Sequence, residues 1–312
     1  MKQISLIFLF LLSLNVFSQD QIFYTQDLRV NTLIDGTLYT PEDENKNSLV
    51  ILIAGSGPTD RNGNNTAMPN NSLKFLAQGL AQNGISVYSY DKRLFEIAKI
   101  PNFKEEDLSF QDFIQDAIDV VNYFKKEKTY KKIIVVGHSE GSLIGMVASR
   151  EAKADGFISL AGAGFSIDNA LVFQINQNAP QFLEETKSIL ATLKKGNTVA
   201  DVDPSLYSLF RPSVQPYVIS WLQYDPKQEI KKLNKIPVMI INGSADIQVQ
   251  VSEAEALKEA KPNAKYLIIQ DMNHVLKIVK NRAENQNSYT NPNLPVAPEL
   301  ISEMSKFVKS IK

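Results

Sequence analysis

The sequence contains no cysteine and only two histidines, His138 and His274, in 312 residues. Without cysteine there can be no disulfide, thiolate nucleophile, iron–sulfur cluster or cysteine zinc site. Two imidazoles are too few for a metal centre built from several histidines, so we predict neither a metal nor a cofactor. Any histidine chemistry must use one of these two residues.

An excess of charge of either sign is also lacking. The 33 Lys and Arg residues balance 34 Asp and Glu residues, giving a net charge of −1. Such a chain has no field to hold a polyanion, which argues against nucleic-acid binding. With 44% hydrophobic and 21% charged residues, the composition is that of an ordinary globular protein and excludes disorder and a coiled coil.

The N-terminus begins MKQISLIFLFLLSLNVFSQ, with Lys2 before the apolar residues 4–17 and small Ser18 after them. This three-part pattern is typical of a secretory signal peptide. The apolar run is shorter than the roughly 20 residues that span a bilayer, which makes a retained membrane anchor the less favoured alternative. We predict a signal peptide over residues 1–18 and an exported domain, periplasmic or extracellular and without a stable membrane anchor, over residues 19–312.

Short runs rich in Val and Ile alternate with amphipathic stretches along most of the chain. The runs are LVILIAG (49–55), ISVYSYD (85–91), KIIVVG (132–137), GFISLAG (156–162), IPVMIING (236–243) and KYLIIQ (265–270). Continuous apolar strands alternating with helices predict an α/β fold, with a mostly parallel central sheet and helices on both faces. Residues 21–40, around the turn dipeptide Asp35-Gly36, predict an antiparallel hairpin. The Asn- and Pro-rich residues 281–298 predict a surface loop before a last helix at 299–311.

One interval, residues 165–225, breaks this alternation. It has no strand of the same kind, and its aromatic residues recur at helix-like spacings. Because the interval is too long for a plain loop, we predict an inserted helical cap over the sheet. We expect Phe210 and Trp221 on its inner face to bind substrate. The alternative is that these aromatics only pack the insertion onto the sheet.

The sequence Gly137-His138-Ser139-Glu140-Gly141 lies directly between the apolar strand KIIVV and the helical run SLIGMVASR. A G-x-S-x-G sequence in a strand-turn-helix context is typical of a nucleophile elbow. There the serine takes a strained backbone conformation, and the flanking glycines avoid collisions that any Cβ would cause. We predict that Ser139 is a nucleophile.

A serine nucleophile needs a base, and the base needs a carboxylate that orients it. His138 is beside the serine on the elbow, where neighbouring side chains diverge, so we predict a structural role for it. His274 follows the last predicted strand at the same sheet edge and is the predicted base. Asp246, after the strand IPVMIING, completes the chain order Ser, Asp, His and is the predicted acid. The competing carboxylates are Asp225, at the boundary of the insertion, and Asp271, which is close to His274 in sequence.

Attack on a carbonyl creates an oxyanion, which two N–H groups must stabilise. One should come from Glu140, the residue after the nucleophile. The other should come from the glycine-containing loop AGSGP after the first parallel strand, where Ser56 is our choice and Gly57 the alternative. This loop lacks the Lys-Ser/Thr ending of nucleotide-binding loops.

The segments GHSEGS, GSADIQV, NHVLK and AGSGPTDRNGN together resemble the α/β-hydrolase superfamily, and in particular its exported bacterial esterase-like branch with a GSGPTDR-type loop. The resemblance covers essentially everything after the signal peptide. It implies a serine ester hydrolase fold with a helical cap inserted after the sixth strand. Where many relatives have His-Gly, this chain has Ala54-Gly55. We interpret Asp60 and Arg61 of the resembling loop as an ion pair that fixes the loop.

We therefore predict a serine carboxylic ester hydrolase that acts on small to medium acyl or aryl esters, its small-molecule partners, through an acyl-enzyme. Two alternatives remain. A serine peptidase of the same fold, resembling an aminopeptidase, would need an acidic group in the cap to hold a substrate amine, and Glu184 and Glu185 are the residues available. A non-catalytic binding protein on a hydrolase scaffold is the other, since fold does not imply function.

Overall fold

The computed structural model describes residues 23–42 and 47–311, and the strands within these ranges form one sheet. The strands are β1 (Phe23–Arg29), β2 (Asp35–Pro41), β3 (Ser48–Ile53), β4 (Ser86–Tyr90), β5 (Lys132–His138), β6 (Gly156–Leu160), β7 (Val238–Gly243) and β8 (Lys265–Ile269). Their order across the sheet is β1-β2-β4-β3-β5-β6-β7-β8. β2 is antiparallel to both of its neighbours, and the other neighbouring pairs are parallel. The predicted mostly parallel sheet is confirmed.

Helices cover both faces of the sheet. They are α1 (Ser72–Gln82), α2 (Leu94–Ile97), α3 (Phe110–Glu127), α4 (Glu140–Glu151), α5 (Ile167–Asn178), α6 (Leu183–Leu193), α7 (Tyr207–Phe210), α8 (Gln215–Trp221), α9 (Pro226–Lys231), α10 (Val251–Ala260), α11 (Arg282–Ser288) and α12 (Pro298–Ser310). One buried cluster joins the sheet to α1 and α12, and another joins it to α3, α4, α9 and α10. Successive residues of β3 enter opposite clusters, because side chains alternate along a strand. Burial on both faces explains why the parallel strands are continuous apolar runs.

The N-terminal hairpin is present, but its turn is not where the sequence predicted it. Asp35 and Gly36 begin β2, and the turn lies at residues 30–34. There the Asn31 side chain accepts hydrogen bonds from the backbone N–H groups two and three residues further on, at 2.8 and 3.0 Å. Gly36 serves packing instead, because a Cβ on it would lie 2.5 Å from Cζ of Tyr88.

The chain between β6 and β7 is described throughout and contains helices but no strand. We call residues 165–225 the insertion. Its helices α5 to α8 share a small core of their own, formed by Leu171, Ile175, Ile189, Leu190, Leu193, Val202, Leu206, Phe210 and Val218. Because this core is separate from the two clusters of the sheet, the insertion is a second packing unit.

Residues 281–298 are not a plain surface loop as predicted, because they contain α11. The side chain of Asn281 accepts a hydrogen bond of 2.9 Å from the backbone N–H of Glu284 and so caps this helix. Asn followed three residues later by Glu is a helix-start pattern, and it outweighed the Asn and Pro content of the segment.

The predicted signal peptide, residues 1–18, lies outside the described residues. Within the part of the chain that is described, no helix is both long and apolar enough to cross a membrane.

Candidate active site

Ser139 occupies the sharp turn between β5 and α4, with φ of 56° and ψ of −123°. This is an unfavourable region for a residue with a Cβ, and it exposes the side chain above the sheet edge. The flanking glycines are sterically required. A Cβ on Gly137 would lie 2.0 Å from the backbone O of Gly141, and one on Gly141 would lie 2.5 Å from the O of Ile53. The turn therefore has the geometry of the predicted nucleophile elbow.

His274 and Asp246 meet in the loops that follow β8 and β7. Nδ1 of His274 lies 2.8 Å from Oδ2 of Asp246, and both side chains are buried. Because a carboxylate only accepts, Nδ1 carries the proton and Nε2 is left as the acceptor. The other oxygen of Asp246 accepts from the backbone N–H groups of Gln248 and Val249, at 2.8 and 2.9 Å. These bonds hold the carboxylate in its orientation toward the imidazole.

Ser139, His274 and Ser56 line one cavity of about 80 Å³ at the carboxyl edge of the sheet. The two competing carboxylates have other partners. Asp225 caps α9 by accepting from two backbone N–H groups, and Asp271 accepts from the side chain of the adjacent Gln270. The structure thus brings the predicted nucleophile, base and acid to a single place.

His138 is buried against the other histidine, with ring centroids 4.9 Å apart. Its Nε2 donates a hydrogen bond of 2.8 Å to the backbone carbonyl of His274. This bond fixes the loop that carries the predicted base. The pKa of His138 is lowered to about 4, mainly because the ring is buried and to a smaller extent because His274 is nearby. It is therefore neutral at physiological pH, consistent with the structural role predicted for it.

A second group of residues that the sequence analysis missed supports the same loop. The buried amide of Asn273 donates to Oδ1 of Asn285 and to Oγ of Ser288, at 3.0 and 2.6 Å. Asn285 in turn donates to the backbone carbonyl of Ala245, beside the predicted acid, at 2.9 Å. α11 therefore ties the loop of His274 to the loop of the carboxylate.

The candidate oxyanion donors come from two segments, the start of α4 and the loop after β3. Glu140 is the first residue of α4, where backbone N–H groups have no acceptor within the helix. Ser56 lies in the loop after β3 and borders both the cavity of Ser139 and a second cavity under the insertion. Gly57, with φ of 73°, borders only the second cavity. Position therefore favours Ser56 over Gly57.

The side chain of Glu140 takes part in a buried polar cluster that the sequence analysis did not predict. Its Oε1 accepts from Nζ of Lys92 at 2.6 Å, and its Oε2 accepts from the hydroxyl of Tyr217 at 3.1 Å. Lys92 also donates to the backbone carbonyl of Gly55 at 3.0 Å and lies over the ring of Phe113, 4.5 Å from its centre. Burial and the neighbouring carboxylate raise the pKa of Tyr217 well above its usual value, so its hydroxyl stays protonated.

The second cavity, of about 310 Å³, lies between the insertion and the sheet and has largely apolar walls. Trp221 lines it and stacks on Phe110 of α3, with the ring planes 5° apart. Phe210, the other expected substrate contact, does not line it. Its side chain is completely buried in the insertion's own core, so the prediction for Phe210 is wrong. Helical spacing identified an apolar residue but could not show which of two cores it enters.

The loop after β3 is fixed by charged residues, although not by the predicted Asp60–Arg61 pair. Asp60 accepts from the backbone N–H groups of Asn62 and Asn64, both at 2.8 Å. Arg61 instead pairs with Asp91 after β4, where its Nε and Nη2 donate to Oδ2 of Asp91 at 3.0 and 2.7 Å. The loop is therefore fastened to the neighbouring strand end as well as to itself.

The parallel sheet with a serine elbow after β5, and with Asp and His in loops after β7 and β8, defines the α/β-hydrolase fold. The profile of the family described as serine aminopeptidase, S33, matches residues 70–278, about two thirds of the chain. The chain belongs to this family of α/β hydrolases. The predicted fold class is thus confirmed.

Named relatives include esterases. The chain is 30% identical to esterase EstD of Thermotoga maritima over 261 residues, which cover 81% of this chain and 60% of that protein. Among solved structures, Est1E from Butyrivibrio proteoclasticus has a TM-score of 0.57 at 15% identity, covering 92% of this chain and 99% of that one. The Pyrococcus furiosus esterase PF2001 has a TM-score of 0.54 at 17% identity, covering 92% and 90%. These two structures show the shared fold.

Proposed function

We propose that this protein is a serine carboxylic ester hydrolase that acts on small to medium acyl or aryl esters. The observation that carries the proposal is the placement of a strained elbow serine in one cavity with a histidine whose Nδ1 is held by a buried carboxylate. The esterase names of relatives such as EstD agree with it.

In the proposed reaction, Oγ of Ser139 attacks the ester carbonyl carbon and its proton passes to Nε2 of His274. The imidazolium that forms is stabilised by Asp246. The tetrahedral oxyanion accepts hydrogen bonds from the N–H groups of Ser56 and Glu140. Collapse breaks the ester C–O bond, the alcohol leaves with the proton from His274, and an acyl-serine remains. Water, deprotonated by the same histidine, then hydrolyses the acyl-enzyme and releases the acid.

The second cavity supplies the argument for esters over peptides. A peptidase that holds a substrate amine needs an available carboxylate. Among the described residues lining this cavity, the carboxylates are those of Glu105 and Glu140, and both are paired. Glu105 is bound by Arg211, whose hydrogen bond lowers the pKa of Glu105, and Glu140 by Lys92.

The two carboxylates of the insertion that the sequence suggested for binding a substrate amine, Glu184 and Glu185, lie outside this cavity. Glu184 pairs with Lys187 at 2.7 Å, and Glu185 accepts from the backbone N–H of Asp203 at 2.9 Å. Neither borders the cavity. We therefore expect its apolar walls to take an uncharged acyl or aryl group, with Trp221 as one of the contacts.

The test is a hydrolysis panel with the purified protein: p-nitrophenyl acetate, butyrate and octanoate, against p-nitroanilides of amino acids. We expect turnover of esters, and labelling of Ser139 by a fluorophosphonate. Ser139→Ala should abolish labelling and lower kcat by about 10⁴ to 10⁶. Ser149→Ala, which removes a buried hydroxyl from the far end of the same helix, is the matched control and should keep activity.

Each other outcome contradicts the proposal. Labelling that persists in Ser139→Ala would place the nucleophile elsewhere. Faster turnover of the anilides than of the esters would indicate the peptidase alternative. A folded protein with neither turnover nor labelling would indicate a non-catalytic binding protein.

We also propose that the chain belongs to the exported branch with a GSGPTDR-type loop, and that residues 1–18 are removed on export. The charged, apolar and small-residue order of that segment supports this. Expression of the full chain in a bacterium with two membranes, followed by N-terminal sequencing, tests it. A periplasmic or secreted form starting within a residue or two after Ser18 is expected, and an unprocessed cytoplasmic protein would contradict it.

A further inference from the structure

Lys92 and Glu140 form an ion pair buried almost completely, with 4% and 6% of their surfaces exposed. Burying two charges costs desolvation energy that their attraction offsets only in part, and apolar replacements of such pairs are often neutral or stabilising. Stability alone therefore gives little reason for this pair. Its position gives a better one, since Lys92 bonds both to the peptide unit that carries the Ser56 N–H and to the side chain of Glu140.

The bond from Lys92 to Gly55 acts on the first donor. The carbonyl of Gly55 and the N–H of Ser56 belong to the same planar, trans peptide unit, in which C=O and N–H point in opposite directions. Nζ of Lys92 lies 3.0 Å from the carbonyl oxygen of Gly55, and by holding this oxygen Lys92 fixes the direction of the N–H on the other side of the unit. The positive charge of the Lys92 ammonium group beside the carbonyl oxygen also polarises that N–H toward an anion.

The bond from Lys92 to Glu140 acts on the second donor. The carboxylate of Glu140 is held by the ammonium group and by the hydroxyl of Tyr217, while its backbone N–H is the other proposed oxyanion donor. One ammonium group thus joins the loop after β3 to the start of α4. Tyr217 lies in α8 of the insertion, so the same cluster connects the insertion to the site.

We infer that Lys92 is a positioning residue that holds the N–H groups of Ser56 and Glu140 in register for the oxyanion, with Tyr217 linking the insertion to this arrangement. The inference rests on the proposed function. It predicts that loss of Lys92 weakens interactions made in the transition state and leaves ground-state binding of the ester unchanged.

The experiment compares Lys92→Met with wild type on p-nitrophenyl butyrate, per active site titrated to completion with a fluorophosphonate. Complete loss of one oxyanion donor lowers kcat by about 10² to 10³, so misplacement of donors should lower it by about 10 to 100-fold. KM should stay within about twofold, because uniform binding is not affected. The affinity for an aryl boronate, which forms a tetrahedral adduct with the serine, should fall by the same factor as kcat/KM.

Three further variants separate a positioning role from general structural damage. Lys261→Met removes another buried lysine that donates to a backbone carbonyl, that of Leu233 at 2.9 Å, away from the elbow. It should keep kcat and KM within about twofold. Glu140→Gln keeps an acceptor for Lys92 and should lose less than Lys92→Met. If Lys92→Met does not fold, the double variant Lys92→Met/Glu140→Gln removes the unpaired carboxylate and should fold with kcat still low.

A per-site kcat of Lys92→Met or of the double variant within twofold of wild type would overturn the inference. A rise in KM at constant kcat would overturn it too, because it would indicate a substrate contact. Tyr217→Phe provides a further check, since it should lower kcat in the same sense but less than Lys92→Met. Failure of the wild type itself to hydrolyse any ester would instead contradict the proposed function.

Discussion

Trp221 and Phe210 provide a sharp test of which insertion residues touch substrate. Both are aromatic residues of the insertion, but only Trp221 borders the cavity of about 310 Å³, while Phe210 is completely buried in the insertion core. Trp221→Ala should therefore enlarge the cavity. Each additional methylene group that is buried contributes about 0.8 kcal/mol, or roughly fourfold in kcat/KM.

Removal of the Trp221 indole leaves room for several methylene groups. The ratio of kcat/KM for octanoate to that for acetate should consequently rise by about tenfold or more in Trp221→Ala. The change should lie mainly in KM, because under the proposed function the insertion contacts the substrate tail and not the reacting carbonyl. Acetate turnover should stay close to wild type.

Phe210→Ala should behave differently. Truncating a fully buried phenylalanine costs about 3 to 5 kcal/mol of stability, with no direct effect on the cavity wall. We expect a lower melting temperature and an unchanged ratio of octanoate to acetate, with Phe210→Leu as a milder version. A wild-type ratio in Trp221→Ala, or an equal shift of the ratio in Phe210→Ala, would contradict the assignment of Trp221 as the residue that lines the cavity.

Three other predictions concern the elbow and its supports. Asp246→Asn should lower kcat by about 10⁴ through loss of the histidine tautomer, whereas Asp271→Asn should have little effect in the same ester assay. The pKa of His138 falls from 6.5 to about 4 on folding, so the unfolded chain binds its proton first as the pH drops. About 3 kcal/mol of stability should be lost between those pH values, and His138→Gln should flatten that slope in denaturant titrations. Gly141→Ala, whose Cβ would lie 2.5 Å from the carbonyl oxygen of Ile53, should lower the melting temperature strongly, and a wild-type value would contradict the packing argument.

Much of this fold can be predicted from local patterns. Strands buried on both faces appear as apolar runs, and the structure has strands at each of the six positions where the sequence has such a run. Because parallel strands end at one edge, Ser139, Asp246 and His274 could be expected there from their places after strands alone. The steric role of the glycines on either side of Ser139 could also be predicted, since a nucleophile elbow leaves no space for a Cβ at these positions.

The supports of the site could not be predicted in the same way. Lys92 meets Gly55 and Glu140, which are 37 and 48 residues away in sequence, and Tyr217 meets Glu140 from 77 residues away. No local pattern marks such pairs. The role of Asn273 could not be predicted either, because the partners of its amide, Asn285 and Ser288, belong to a segment whose composition predicted a loop. Only the three-dimensional arrangement shows that these polar residues have shared partners.

The backbone conformation of Ser139 bears on how this protein could be made more robust. A residue with a Cβ held at φ of 56° and ψ of −123° costs about 1 to 3 kcal/mol, which the surrounding fold must offset. Glycine adopts such angles readily, so Ser139→Gly should be more stable than wild type by up to about 1 kcal/mol while lacking the nucleophile. Selection for thermal resistance alone would thus favour an inert protein at this position. Any engineering of this chain needs a simultaneous screen for ester turnover.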